Sequence, residues 1–154
     1  MSDATIVPAD PEGPEARACL LAYYAVLDAR FPDGFDVTLS RDPEARDMRP
    51  PRGTFLLARA GAEVLGCVGL KRSGPTEAEI KRLWISETAR GQGLGRRLMA
   101  EAEAAARALG IATLRLDTNE TLTEAIALYR KTGWQEIADF NGERFATHWF
   151  EKGL

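Results

Sequence analysis

The sequence predicts a mixed α/β fold, in which a sheet of about seven strands carries helices on both faces. Short apolar runs and helically spaced apolar residues succeed each other in the order β-α-βββ-α-β-α-ββ. A glycine-containing loop at residues 60–63 joins two strands as an antiparallel hairpin, whereas the strand–helix–strand crossovers require parallel pairing. The chain has 154 residues, so we expect a single domain over 1–154.

The first half of the chain is predicted to hold one helix and four strands. Residues 5–7 form an apolar strand that Pro8 ends, and Pro14 suits the first turn of a helix, where its missing N–H costs nothing. Apolar residues from Leu20 to Phe31 follow at helical spacing, and residues 32–34 stop the helix. A proline-containing loop with one short helical turn is expected up to Gly53. Strands are then predicted at 54–59, 64–70 and 79–86.

The second half changes period after the last of these strands. An apolar stripe from Leu94 to Leu109 predicts a helix, and Gly110 stands where a C-terminal cap glycine belongs. Leu114 and Leu116 mark another strand, with Asp117 at its end. A helix closed by Gly133 comes next, and the chain is predicted to finish with strands at 134–138 and 145–151.

Composition excludes several classes of protein. Hydrophobic residues make up 45% and charged residues 28%, which is typical of a globular chain rather than a disordered one. The net charge of −3 argues against a dedicated nucleic-acid binder. Cys19 and Cys67 lack CxxC spacing, so we expect neither a disulfide framework nor a metal site. No apolar run reaches the ~20 residues of a membrane span, and residues 1–4 do not resemble a signal peptide, so the expected location is the cytoplasm.

The most informative segment is 90–97, Arg-Gly-Gln-Gly-Leu-Gly-Arg-Arg, between a predicted strand and a long helix. Its alternating glycines let successive N–H groups point into one small volume, and the helix adds its own unpaired N–H groups and the positive end of its dipole. With Arg90, Arg96 and Arg97 this predicts a phosphate or pyrophosphate site. The alternative is a glycine-rich turn before a basic, solvated helix start. The Rossmann and Walker patterns do not fit.

Two motifs in this region resemble those of the GCN5-related N-acetyltransferases (GNAT), which bind acetyl-coenzyme A (acetyl-CoA). Arg90-x-x-Gly93-x-Gly95 looks like the family signature R/Q-x-x-G-x-G/A. The segment 79–85, Glu-Ile-Lys-Arg-Leu-Trp-Ile, looks like the family's fourth strand. Asn119, followed by the run 125–134, resembles the second motif N…A-x-x-L-Y-x-k-x-G-F. The resemblance implies a GNAT-like sheet that is splayed between its fourth and fifth strands.

The same resemblance implies how acetyl-CoA, as co-substrate, would bind. Backbone N–H groups of 92–96 would hold the pyrophosphate, and Arg90 would shape or cap the loop. The pantetheine arm would lie along the fourth strand, where the N–H of Ile85 would polarise the thioester carbonyl. Asn119 would contact the pantetheine, its alternative role being that of a turn or helix-cap residue. The implied binding residues are Leu83, Trp84, Ile85, Arg90, Gly91, Gln92, Gly93, Leu94, Gly95, Arg96 and Asn119.

Two catalytic residues are implied as well. Tyr129 would protonate the leaving thiolate, although its helical spacing alone favours a packed core aromatic. Glu79 matches a general-base position, and the alternative is an exposed strand-end carboxylate paired with Lys81 or Arg82. His148, the only histidine, is expected to be structural or to line the acceptor pocket.

The sequence therefore predicts an acetyl-CoA-dependent N-acetyltransferase acting by direct attack of a primary amine in a ternary complex, since neither cysteine has an evident base partner. The acceptor, a small molecule or a peptide amine, is expected between residues 31–35 and 140–144, and relatives are commonly homodimers. One alternative is a non-catalytic CoA-binding sensor or assembly module. Another is a toxin that acetylates aminoacyl-tRNA, which the acidic net charge disfavours.

Overall fold

The computed structural model of the protein describes residues 4–41 and 43–154, and these residues build one seven-stranded sheet with three α-helices. The prediction that residues 1–4 are not a signal peptide concerns residues that, apart from Ala4, lie outside the described part. Asp42, within the predicted loop, is outside it as well.

The element order agrees with the prediction. The α-helices are α1 (Pro14–Arg30), α2 (Leu94–Ala108) and α3 (Thr123–Lys131), with short 3-10 turns at Val37–Leu39 and Glu87–Ala89. The strands are β1 (Thr5–Pro8), β2 (Gly53–Ala60), β3 (Glu63–Arg72), β4 (Glu77–Ile85), β5 (Thr113–Thr118), β6 (Gln135–Ile137) and β7 (His148–Gly153).

The strand bounds differ from the prediction by one or two residues in most cases, and the start of the last strand differs by three. The last strand was expected from residue 145 and begins at His148, because Ala146 donates its N–H to the carbonyl of Glu143 in a turn. That turn holds Phe145 off the sheet and leaves its side chain among the residues of a cavity described below.

The strand order is β1-β2-β3-β4-β5-β7-β6, and the join between the central strands β4 and β5 is short. These two strands pair in parallel from Glu77 opposite Thr113 to Glu79 opposite Arg115, and no further. The remaining residues of β4 pair with β3 alone, and β5 continues against β7. The sheet is thus open between β4 and β5, which confirms the predicted splay.

A bulge in β4 accompanies this opening. Cys67 of β3 lies opposite Trp84 and Gly69 opposite Lys81, so the two β4 residues Arg82 and Leu83 face a single residue of β3. Arg82 has a φ of 57°, and no other non-glycine residue within 4–41 and 43–154 has a positive φ. Its guanidinium Nε donates to the hydroxyl of Tyr24 on α1 at 3.0 Å, which fastens the bulge to the helix.

Helices cover both faces of the sheet, as predicted. On one face α1 packs Ala16, Cys19 and Leu20 against Phe55, Leu57 and Cys67. On the other face α2 packs Leu94, Leu98 and Ala102 against Leu56, Ala58 and Val68. The sheet residues of the two clusters alternate along β2 and β3, as side chains do along a strand. Within the described residues, no helix has the length and apolar character needed to cross a membrane.

Leu98→Ala tests the packing of α2. The side chain is fully buried, so its truncation leaves a cavity, and the free energy of unfolding should fall by about 2–5 kcal/mol in urea titrations. Leu21→Ala is the control, because Leu21 is 68% exposed on α1 and its loss should cost less than about 0.5 kcal/mol. Equal effects in the two variants would contradict the described core.

Candidate active site

The open edge of β4 borders a cavity of about 380 Å³. The glycine loop and the start of α2 form one wall, α3 forms another, and α1 contributes Tyr23, Val26 and Arg30. Nine of the eleven residues predicted to bind acetyl-CoA line it: Leu83, Trp84, Ile85, Arg90, Gly91, Gly93, Leu94, Gly95 and Arg96. The predicted end of β4 and the glycine loop therefore border the same cavity.

The glycine loop presents unpaired N–H groups to this cavity. Gly91 and Gly93 have φ values of 78° and 77°, which glycine adopts at little cost, and a Cβ on either would meet no atom within 4 Å. Gly93 is the N-cap of α2, and no side chain caps the helix there. The intrahelical ladder starts with the N–H of Arg97 bonded to the carbonyl of Gly93 at 3.1 Å. The N–H groups of residues 94–96 thus precede the ladder and suit an anion.

Cationic side chains surround the loop. Arg30, Arg90, Arg96 and Lys131 line the larger cavity, together with one carboxylate, Glu124. Arg30 donates to both oxygens of Glu124 at 2.9 and 3.1 Å, and these hydrogen bonds lower the pKa of Glu124 to about 2. Arg97, predicted to add to the positive charge, turns away, because its guanidinium donates to the carbonyl of Ala4 at 2.8 Å.

The edge of β4 has backbone groups directed at the cavity. Ser86 donates its N–H to the carbonyl of Leu65 on β3 at 2.8 Å. Since backbone groups alternate between the two edges of an antiparallel strand, the N–H and C=O of Ile85 point away from β3, where β5 has already diverged. A ligand in the cavity can bond to them as an added strand would.

Gln92 and Asn119, the other two predicted binding residues, do not line the larger cavity. The side-chain amide of Gln92 donates to the carbonyl of Thr88 at 3.3 Å. Asn119 accepts the N–H of Thr121 at 2.9 Å and donates to the carbonyl of Phe145 at 2.8 Å, so it stabilises the turn before α3. This is the turn role given above as its alternative.

A smaller cavity of about 80 Å³ adjoins the first, and Tyr23 and Leu122 line both. Its apolar wall includes Tyr24, Phe31, Phe35 and Phe145, whose rings form contacts with centroids 4.7–6.0 Å apart. Asp117, Asn119, Glu143 and Lys81 are among its polar residues. Three residues of the segments predicted to bind the acceptor line this cavity: Phe31, Phe35 and Glu143.

Comparison with known proteins identifies the fold and the family. The model of the acetyltransferase (GNAT) family matches residues 20–134. The chain belongs to this family. An IAA acetyltransferase of Azospirillum brasilense is 36% identical over 116 residues, which cover 74% of this chain and 75% of the relative.

Solved GNAT structures agree with this assignment. An acetyltransferase of Staphylococcus aureus Mu50 shares the fold with a TM-score of 0.83 at 17% identity, over 98% of this chain and 99% of that one. The PaiA N-acetyltransferase of Thermoplasma acidophilum, solved with coenzyme A, has a TM-score of 0.57 at 25% identity, over 65% of this chain and 60% of that one.

In this GNAT chain, Tyr129 is buried in the core between Trp134 and Phe150, with ring centroids 6.0 and 5.8 Å away. Burial raises the pKa of its phenol well above the usual range, and the nearby Tyr23 and Asp117 raise it further. The ring thus packs as the core aromatic that its helical spacing favours, and Tyr129 lines neither of the two cavities.

Glu79 is buried rather than exposed, with 7% of its surface accessible. Arg41 donates to both of its oxygens at 2.9 and 2.8 Å, and the ammonium of Lys81 lies 3.1 Å away. The pairing with Lys81 was expected, whereas the guanidinium of Arg82 bonds to Tyr24 instead. Neither Glu79 nor His148 lines the two cavities, and His148 bonds to the hydroxyl of Thr147 at 2.9 Å.

Sequence reasoning missed two polar residues that line the smaller cavity. Tyr23 lies beside Tyr24 on α1, and only the structure shows that it lines both cavities. Asp117 was recognised as the end of a strand and given no role, although a carboxylate at the carboxyl end of a strand next to a parallel neighbour was a usable signal. Burial raises the pKa of Asp117, although the charge of Lys81 and the hydrogen bond from Asn141 both act to lower it.

The ion pair in the larger cavity yields a pH prediction. Glu124 should titrate near its lowered pKa of about 2, and Arg30→Ala should move the titration up toward the ordinary 4.3 or so. Because the pKa is lowered on folding, the pair stabilises the protein above the ordinary pKa and the effect is lost as pH falls toward 2. Carboxyl NMR measures the titration, with Arg17→Ala on the same helix as control. An unmoved Glu124 in Arg30→Ala would contradict the assigned pair.

Proposed function

We propose that the protein moves an acetyl group from acetyl-CoA to a primary amine by direct attack within a ternary complex. One observation carries the proposal: the uncapped start of α2 and the open edge of β4 face the same cavity. An anion site alone fits many phosphate ligands. An anion site beside a strand edge with unpaired amide groups fits a diphosphate joined to an extended amide arm, which is the chemistry of coenzyme A.

The residues divide the co-substrate between them. The N–H groups of residues 92–96 hold the pyrophosphate, and Arg90 and Arg96 balance its charge. The pantetheine arm extends along Leu83, Trp84 and Ile85 as an added strand. Because Tyr23 lines both cavities, the thioester end of the arm meets the acceptor beside this side chain.

The chemistry then needs three groups. The N–H of Ile85 stabilises the negative charge that develops on the thioester oxygen. Tyr129 protonates the departing thiolate, which requires the sulfur to reach its buried hydroxyl. Glu79 is the predicted proton acceptor for the amine, and its contacts with Arg41 and Lys81 require the proton to arrive through water or after a side chain moves.

Direct transfer is supported by the cysteines. Cys19 and Cys67 are both buried in the cluster beneath α1 and line neither cavity. A hydrogen bond with Cys19 raises the pKa of the Cys67 thiol, and burial raises it further. Neither thiol is placed to carry the acetyl group. The acceptor is an amine of a small molecule or a peptide, and we extend the proposal to a cytoplasmic protein that forms a homodimer.

Gly93→Val tests the anion site. A valine at a φ of 77° strains the loop and closes the space above it, so the Kd for acetyl-CoA should rise at least about tenfold in calorimetric titrations. Gly61→Val is the matched control: Gly61 also has a positive φ, of 60°, and open space, but it lies in the β2–β3 hairpin. Loss of affinity in both variants, or in neither, would contradict the assignment.

Tyr129→Phe tests the proposed acid. The ring and its packing are kept, so the Kd for acetyl-CoA should stay within about twofold while kcat falls about tenfold or more. Turnover unchanged by the substitution, or an equal loss of affinity and turnover, would remove the role proposed for Tyr129.

A panel of primary amines separates enzyme from sensor. Thiol release and a mass increase of one acetyl group on an amine are expected for a transferase. Saturable binding of acetyl-CoA with thermal stabilisation, and no acetylated product from any amine, would support the sensor in its place.

A further inference from the structure

We infer that Asp117 binds the ammonium of the acceptor in the smaller cavity and takes its first proton, and that this cavity selects a primary amine on an unbranched apolar arm. The inference rests on the proposed acetyl transfer, assigns the base to Asp117 instead of Glu79, and adds an acceptor class.

Asp117 belongs to the cavity that adjoins the proposed co-substrate site. It lies near the end of β5, across the splay from β4, and lines the smaller cavity. Its charge acts on the phenols of both Tyr23 and Tyr129, so the carboxylate lies near the residue shared by the two cavities and near the proposed acid.

The carboxylate is held in place with one oxygen available. Asn141 donates to Oδ2 of Asp117 at 2.8 Å. The amide oxygen of Asn141 accepts from the indole of Trp149 at 3.0 Å and from the N–H of Glu143 at 3.1 Å, which fixes the orientation of the amide. Within residues 4–41 and 43–154, no group donates to Oδ1 of Asp117. That oxygen can accept from an ammonium.

The neighbouring carboxylates form hydrogen bonds and ion pairs with other groups of the protein. Glu143 accepts from the hydroxyl of Ser40 at 2.7 Å and from the N–H of Arg41 at 3.0 Å, and so joins two loops. Glu79 is paired with Arg41 and Lys81. The groups facing Asp117 are Glu79 and Lys81 from β4, Asn141 and Glu143 from the loop before β7, Tyr23 from α1 and Tyr129 from α3.

Size and lining define the acceptor. The smaller cavity holds about 80 Å³, roughly half of the 150 Å³ that accommodates benzene in an engineered protein cavity, so it takes an amine and the first few carbons of its arm. Its aromatic wall favours an apolar arm over a polar one, and any ring on that arm has to follow the first few carbons. A carboxamide branch beside the amine, as at a peptide N-terminus, would exceed this space.

The protons balance in this scheme. The acceptor arrives as R–NH3⁺ and gives one proton to Asp117, which later releases it to water. The freed lone pair forms the N–C bond with the thioester carbonyl, and the C–S bond breaks. Tyr129 gives its proton to the leaving sulfur and regains one from the nitrogen, so the products are the N-acetylated amine and CoA.

The test compares Asp117→Asn with the wild type using acetyl-CoA and 2-phenylethylamine at several pH values. At pH 7 the variant should lose about a hundredfold in kcat/KM and keep its calorimetric Kd for acetyl-CoA. The loss should shrink as pH rises toward the pKa of the amine, since the neutral amine then needs no base. Glu101→Gln, a carboxylate-to-amide change on the exposed side of α2, should behave as wild type.

Four results would overturn the inference. The first is a loss in Asp117→Asn that is the same at every pH. The second is loss of the low-pH activity in Glu79→Gln but not in Asp117→Asn, which would restore Glu79 as the base. The third is a kcat/KM for L-phenylalaninamide equal to or above that for 2-phenylethylamine, where the cavity predicts at least about tenfold less. The fourth, wild-type protein that does not bind acetyl-CoA, would remove the proposed function itself.

Discussion

The early end of the pairing between β4 and β5 is the constraint on which the rest of the structure depends. Three residue pairs join the strands, and beyond Glu79 they diverge. A continuous sheet would satisfy the backbone groups of Ile85 internally and would leave no space between α1 and α3. The open join costs several hydrogen bonds, each worth about 1 kcal/mol, and Arg82 adds strain at a φ of 57°. A strand-like ligand bound at this edge would make the hydrogen bonds that the free protein lacks there.

Electrostatics at the start of α2 follow the same logic. The helix dipole and the arginines around the glycine loop have the same sign, and they would repel one another without an anion. Glu124 supplies a partial balance in this structure by accepting both N–H groups of Arg30 and lying 3.9 Å from Arg90. A diphosphate would neutralise more of this positive charge than one carboxylate does. It would also accept hydrogen bonds from the N–H groups at the start of α2, which no side chain caps.

Much of this site could be predicted, because its parts are local. The glycine loop, the start of α2 and the β4 segment each lie within a few residues of sequence, and their spacing determines their geometry. The direction of Arg97 depended on a contact with Ala4 at the far end of the chain. Tyr23 and Asp117 are 94 positions apart in the sequence, and only the tertiary fold brings them to the same cavity. Asn119 took its turn role because Thr121 and Phe145 supplied both of its partners.

Hydrogen exchange of single backbone amides, followed by NMR with and without saturating acetyl-CoA, tests the central claim most directly. If the ligand fills the open edge of β4, the N–H of Ile85 gains an acceptor on binding. Its exchange rate should then fall to about one tenth or below. The N–H of Ser86, already bonded to the carbonyl of Leu65, provides the internal reference and should change far less. Unchanged exchange at Ile85 under saturation would contradict the account.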